Sequence, residues 1–201
     1  LYAVIGILSA IQSREKNDTG EHVDISMLDT QVSLLTYMAT MHFLSGENPE
    51  PIGNQHMNHV PFNSYRTSDG FIQIGVVAED FWPSLIEALD LRQLDTEENK
   101  VRSGRLKNRE NIDKVVQGVF ITNTTEHWLK ILQEHRVPCG PINTLSETFE
   151  DADLLKRDMI VEVLQDNGMS VKMPGNPVKI SNHDEEFRRS PKLGEHTSEI
   201  F

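Results

Sequence analysis

Cysteine is nearly absent from the sequence, because the 201 residues include only Cys139. A single thiol cannot form an internal disulfide, and this fits a reducing compartment, so a cytoplasmic location is expected. Basic residues are also scarce: 19 Lys and Arg stand against 31 Asp and Glu, giving a formal net charge of −12. That balance argues against a nucleic-acid partner, which normally meets a basic patch. No apolar run reaches the roughly 18 residues of a membrane span, so no membrane partner is expected.

The chain is apolar enough to bury a core, with 37% hydrophobic residues, and its length allows one or two domains. Residues 1–16 predict a helix that is apolar nearly all round, and such helices are usually buried in a larger core. No Ser, Thr, Asp or Asn stands before this helix as a cap. We therefore expect it to be an interior helix whose preceding chain is missing, so that the sequence is a fragment.

The next segment predicts alternating elements. HVDISML (22–28) alternates as a strand, Asp29 suits a helix N-cap, and residues 30–45 predict a long helix that ends at Gly46. This order favours part of an α/β layered domain. Residues 46–62 contain three prolines and two glycines without periodicity, which is typical of a linker or an active-site loop.

The rest of the chain predicts two hairpins and several helices. The Asp69-Gly70 and Asn167-Gly168 pairs mark the two hairpin turns, since such pairs supply the positive φ that tight turns need. Thr144 and Glu147 form a capping box for a helix that runs to about Arg157. Further helices are predicted over residues 80–89, 108–121, about 124–135 and from about 194 onward.

Five segments, in order, resemble family III coenzyme A-transferases, the group that contains formyl-CoA and carnitine CoA-transferases. They are TGEHVDISMLD (19–29), GNQH (53–56), YRTSDGFIQIGV (65–76), EHWLKILQEHRVPCGPINT (126–144) and PKLGEHTSEI (191–200). Each is weak alone, but five in the family's order across nearly the whole chain are specific. The chain departs from the family pattern at Glu21, where Gln is frequent.

The resemblance implies a fold and a reaction. The fold is α/β, part of the interlocked dimer of this family, in which each chain threads through a ring made by the other. The reaction moves CoA between an acyl-CoA and a carboxylic acid through an aspartyl-CoA intermediate, with no cofactor besides the CoA thioester substrate. The family's nucleophilic Asp would lie upstream of Leu1, so this chain alone is expected to be inactive.

The same resemblance divides the chain. Residues 1–45 would end the first part of the large domain, 46–62 would be the linker or active-site loop, and 63–140 the small α+β domain. Residues 141–201 would form the return linker and the C-terminal part of the large domain. We expect a homodimer.

The resemblance also supplies candidate substrate or CoA-binding residues. Met27 matches a position that lines the CoA pocket, and the alternative is that it is simply the inward-facing residue of an alternating strand. Gly53, Asn54, Gln55 and His56 match a loop that covers the active site, where an amide can donate to an oxyanion. An ordinary interdomain linker is the alternative reading of that loop.

Other candidates are weaker. Asp29 is expected to act as a helix cap rather than as a substitute nucleophile, and Cys139 to be structural. His56 and His59 lack further ligands at a recognisable spacing, so no metal site is expected. An α-methylacyl-CoA racemase branch and a non-catalytic binding or structural protein remain alternatives. The substrate pair stays open.

Overall fold

The computed structural model describes residues 1–183 and 185–201, and these fall into two units, Leu1–Gly53 and Asn54–Phe201. Helices and two small antiparallel sheets make up the mixed α/β architecture that was expected from the sequence.

The first unit contains three helices, α1 (Tyr2–Asn17), α2 (Met27–Ser33) and α3 (Tyr37–Ser45). Gly6 lets α1 approach the extended segment that follows it, because a Cβ there would lie only 2.9 Å from Cγ1 of Val23. All residues of this unit lie in the described part of the chain, and none of them is buried. Large apolar side chains are consequently exposed, with Leu8 60% and Phe43 82% accessible.

Two expectations for residues 22–29 are wrong. Within the part of the chain that the structure describes, no strand pairs with residues 19–26, and Met27 begins a helix instead of continuing a strand. The N-cap is Ser26, whose side chain accepts a hydrogen bond from the Asp29 amide at 3.3 Å, so Asp29 lies in the first turn. An unpaired strand would leave backbone groups unsatisfied, whereas a capped helix satisfies them internally.

The long helix expected over residues 30–45 is broken between α2 and α3. Thr36 has φ +49°, a conformation that a β-branched residue rarely adopts and that cannot continue a helix. The expected end is confirmed, since Gly46 has φ +74° and its amide donates to the His42 carbonyl.

The second unit begins with a three-stranded antiparallel sheet in the order β1-β2-β3. The strands are β1 (Phe62–Arg66), β2 (Phe71–Gly75) and β3 (Cys139–Pro141). Ile72 of the central strand faces Tyr65 of β1 and Pro141 of β3. Between β2 and β3 the chain forms α4 (Phe81–Ala88), a 3₁₀ turn (Arg92–Leu94), α5 (Arg102–Lys107), α6 (Arg109–Phe120) and α7 (Thr125–Glu134).

The hydrophobic core of the second unit is drawn from this sheet and these helices. Its buried apolar members run from Val60 to Val137, and the largest include Trp82, Tyr65 and Phe120. Helix α6 contributes Ile112 and Val116, both 0% exposed, from one face. Helix α6 is therefore fixed to the core by this face.

The C-terminal part of this unit consists of short elements. It contains α8 (Leu145–Glu150), α9 (Ala152–Lys156), the hairpin β4 (Ile160–Leu164) and β5 (Ser170–Pro174), and α10 (Thr197–Ile200). The Thr144–Glu147 capping box is confirmed. The single helix expected from Thr144 to Arg157 is interrupted at Asp151, whose carboxylate caps α9 by accepting from the amides of Asp153 and Leu154.

Candidate functional site

The loop predicted to cover the active site, residues 53–56, crosses the boundary between the two units. Gly53 ends the first unit with φ +61°, a conformation that favours glycine. Residues 54–61 open the second unit and end at a cis peptide bond between Val60 and Pro61. We call residues 54–57 the candidate segment.

Each predicted residue of the candidate segment has a partner in the second unit. Asn54 Nδ2 donates to Oγ of Ser64 at 2.8 Å, and Gln55 Nε2 donates to Oδ2 of Asp113 at 3.1 Å. The His56 amide donates to the Phe62 carbonyl at 3.3 Å. The segment is therefore held against β1 and α6 although it has no regular secondary structure.

Three residues of α6, four apart, form a polar stripe: Arg109, Asp113 and Gln117. Residues at this spacing lie on one face of a helix. Arg109 Nη2 donates to the carbonyl oxygens of His56 at 2.8 Å and of Met57 at 3.2 Å. These residues were missed by sequence reasoning, because nothing near residues 53–56 in the chain indicates which distant helix will support them.

The other members of the polar stripe bind β1. Gln117 Nε2 donates to the Arg66 carbonyl at 2.8 Å, and its Oε1 accepts from the Arg66 amide at 2.9 Å. The buried Tyr65 hydroxyl donates a short hydrogen bond to Oδ1 of Asp113. One helix face thus holds both the candidate segment and the strand that follows it.

Burial and pairing change the acidity of Tyr65 and Asp113. Burial, followed by the charge and hydrogen bond of Asp113, raises the pKa of the Tyr65 hydroxyl far above its usual range. Burial also raises the pKa of the Asp113 carboxyl, while the Tyr65 hydrogen bond and the charge of Arg109 oppose that rise. Tyr65 is therefore a hydrogen-bond donor at neutral pH rather than a phenolate.

Two histidines stand together beside the candidate segment. The ring centroids of His56 and His59 are 4.6 Å apart, and Nδ1 of His56 accepts from the Asn58 amide at 3.0 Å. Burial lowers the pKa of His59, and His56, Arg102 and Arg105 lower it further. Among residues 1–183 and 185–201, no group of three or more His, Cys, Asp or Glu is arranged to hold a metal ion.

Arg105 binds the end of residues 54–61, the stretch that precedes β1. Its side chain is 2% exposed, and Nε donates to the Val60 carbonyl at 3.0 Å. Nη2 lies 2.8 Å from Oε2 of Glu79, and this pairing lowers the pKa of Glu79. Residues on both sides of His59 are thereby anchored to the helical part of the unit.

The remaining candidates take structural or exposed positions. Met27 is the first residue of α2 and is 86% exposed, so it is not an inward strand residue, and its role in CoA binding stays a prediction. Asp69 accepts hydrogen bonds from the Thr125 amide and from the Thr67 hydroxyl, which ties a turn to α7. Cys139 is half-buried in β3, and burial raises the pKa of its thiol.

Open cavities also lie elsewhere in the described part of the second unit. One of about 520 Å³ is lined by residues that include Glu162, Lys179 and His183, and one of about 450 Å³ includes Phe149 and Met173. Neither is lined by the candidate segment. In the described part of the chain, no helix combines the length and the apolar character that crossing a membrane requires.

Comparison with known proteins decides the family. Residues 1–197 match CoA-transferase family III. The chain belongs to this family. A succinyl-CoA:mesaconate CoA-transferase of Haloarcula marismortui is 32% identical over 201 residues, covering 98% of this chain and 50% of that protein. The human succinyl-CoA:glutarate CoA-transferase is 28% identical over 203 residues, covering all of this chain and 46% of that protein.

A solved structure agrees with this assignment. A CAIB/BAIF family protein from Brucella suis superposes with a TM-score of 0.80 at 29% identity, covering 99% of this chain and 52% of that one. The chain thus spans about half the length of the relatives that it matches.

Proposed function

We propose that this chain is the C-terminal part of a family III CoA-transferase, which moves CoA between an acyl-CoA and a carboxylic acid. The observation that carries the proposal is the match to this family over residues 1–197. Relatives named as CoA-transferases for succinate, mesaconate, glutarate and oxalate share 28–32% identity with the chain. Small dicarboxylic acids are consequently the first acids to test.

The reaction proposed is a sequence of carboxyl exchanges. A carboxylate attacks the acyl thioester carbonyl, which forms an aspartyl anhydride and releases CoA as thiolate. The thiolate then attacks the aspartyl carbonyl of that anhydride, giving an aspartyl-CoA thioester and the free acid. The incoming acid repeats the two steps in reverse, so that no metal or redox partner is needed.

The reactive carboxylate is proposed to lie outside these 201 residues. Support comes from the coverage, since the chain accounts for 44–52% of the relatives' lengths. Within the chain, Asp69 is occupied in a turn and Asp29 lies in the first turn of α2. The candidate segment is proposed to supply donors for the oxyanion that forms at the attacked carbonyl, with the exposed amide of Asn54 as the proposed side chain.

A chimaera tests the proposal directly. The N-terminal half of the human succinyl-CoA:glutarate CoA-transferase would be joined to Leu1 of this chain, and the 201-residue chain alone would be assayed beside it. With succinyl-CoA and glutarate, we expect glutaryl-CoA from the chimaera and none from the chain alone. A chimaera that unfolds cooperatively, showing that it is folded, yet transfers no CoA would contradict the proposal.

The same chimaera also tests the racemase alternative. Racemisation exchanges the proton at carbon 2 of an acyl-CoA without transferring CoA. Incubation of the chimaera with 2-methylacyl-CoA in deuterated water separates the two reactions. Deuterium at carbon 2 without any glutaryl-CoA formation would favour the racemase, whereas the reverse result favours the transferase.

A further inference from the structure

Helix α6 carries a buried apolar row of side chains and, beside it, the polar stripe. Its apolar face, with Ile112, Val116 and Phe120, is 0% exposed and belongs to the core of the second unit. The polar stripe lies on the flank beside this apolar face, because Asp113 and Gln117 each directly follow a buried residue. A helix fixed by its buried face is a rigid support for whatever its polar stripe binds.

Helix α6 supplies hydrogen-bond donors to the backbone of the candidate segment. Two successive carbonyl groups, those of His56 and Met57, accept from the same guanidinium nitrogen of Arg109. Nη2 carries two N–H groups fixed in the guanidinium plane, so this one nitrogen can donate to both peptide carbonyls in a defined geometry that a rotating ammonium group would not give. Asp113 adds a third attachment through the Gln55 side chain.

The candidate segment is hydrogen-bonded to β1 as well as to α6. Asn54 is tied to Ser64 of β1, and the His56 amide is tied to the Phe62 carbonyl at the start of the same strand. The polar stripe acts from the other side, and Gln117 fixes β1 itself. The conformation of the segment is therefore defined by α6 and β1 together.

We propose that Arg109 and Asp113 are positioning residues, which hold residues 54–57 in the conformation that presents Asn54 to the reacting thioester. This inference rests on the proposed function for its catalytic consequence. The positioning itself is a property of the second unit and is measured without any turnover.

The first measurement is hydrogen–deuterium exchange of the 201-residue chain. Arg109→Gln removes the guanidinium group, and Arg109→Lys keeps the charge. The control is Arg92→Gln, which removes an exposed arginine paired with Asp90 in the same unit. The reporters are the amides of His56 and Asn58, both of which donate hydrogen bonds. The reference amides are those of β2.

We expect Arg109→Gln to speed exchange of the reporters about tenfold, the effect of losing a hydrogen bond to a charged group, while β2 stays unchanged. Arg109→Lys should give a smaller increase, and Arg92→Gln none. Asp113→Asn keeps a carbonyl acceptor for Gln55, so it should disturb the reporters less than Asp113→Ala. Equal acceleration of reporters and β2, or none at either, would overturn the proposal.

The second measurement is made in the chimaera with succinyl-CoA and glutarate. Arg109→Gln should lower kcat about tenfold with KM for succinyl-CoA within about twofold, because positioning acts on the reacting complex rather than on binding. Local loosening of the reporters with an unchanged kcat would also overturn the proposal. If the parent chimaera transfers no CoA, the proposed function fails, and the exchange result alone decides whether Arg109 positions the segment.

Discussion

The guanidinium of Arg105 lies over the indole ring of Trp82, with Cζ 5.2 Å from the ring centroid. Both side chains are 2% exposed. The charge is balanced by Glu79 at 2.8 Å, and Nε and Nη1 donate to the backbone carbonyls of Val60 and Asn99. A buried arginine of this kind belongs to the core as much as the apolar residues around it.

Replacing this arginine tests its role in stability. Arg105→Met should lower the free energy of unfolding of the second unit by at least about 2 kcal/mol, because it leaves the carbonyls of Val60 and Asn99 without their donors. Urea titration followed by tryptophan fluorescence measures the change. Arg92→Met is the matched control, since its ion pair is exposed and should contribute less than about 1 kcal/mol. Equal losses of unfolding free energy for the two variants would contradict the structural role given to Arg105.

Two helical glycines should respond in opposite ways to alanine. A Cβ on Gly104 of α5 would overlap the carbonyl oxygen of Glu98, whereas one on Gly118 of α6 would meet no described atom within 4 Å. Gly104→Ala should therefore cost about 1–3 kcal/mol. Gly118→Ala should stabilise the helix by about 0.5–1 kcal/mol. Urea midpoints of both variants check this, and a stable Gly104→Ala would show that the approach of α5 to Glu98 is wrong.

His59 should make stability depend on pH. Its pKa in the folded chain lies below its ordinary value of 6.5, so the unfolded chain binds the proton first as pH falls. The free energy of unfolding should consequently decrease from about pH 7.5 downward and level off below the folded pKa. His59→Gln should flatten this part of the profile, measured as the urea midpoint against pH. The exposed His127→Gln serves as the control, and a profile unchanged by His59→Gln would contradict the prediction.

The exposed apolar side chains of the first unit predict self-association. Val4, Ile5 and Leu8 of α1 are each 58–60% exposed, and Leu44 of α3 is 84% exposed. Burying one side chain of this size contributes about 1.5–3 kcal/mol, so several together favour an interface. Light scattering coupled to gel filtration at micromolar concentration should report a mass above that of one chain. A single species of 22.9 kDa would contradict this expectation.

Local signals allowed much of the second unit to be predicted from the sequence. The hairpin of β4 and β5 is confirmed with Gly168 at φ +80°, and Thr124 caps α7 by accepting from the His127 amide. The hairpin of β1 and β2 is also confirmed, but neither Asp69 nor Gly70 has a positive φ. That turn is closed instead by Thr67, whose amide donates to the Gly70 carbonyl and whose hydroxyl accepts from the Gly70 amide.

The expectations that failed depend on contacts distant in sequence. A strand pattern at residues 22–28 cannot form a strand without a partner, and no local signal supplies one. Arg105 and Arg109 bind carbonyls about 45–55 residues away, so their roles follow from the packing of α5 and α6 against the loop.

The most direct test of the central claim is mass spectrometry after incubation with succinyl-CoA. We have proposed that residues 1–201 belong to a CoA-transferase whose reactive carboxylate lies on another segment. We therefore expect a CoA adduct on an aspartate of the added N-terminal half in the chimaera, and none on any residue of this chain, alone or joined. A covalent CoA adduct at Asp24, Asp29, Asp69 or any other residue of the 201 would contradict the account, as would a folded chimaera without an adduct.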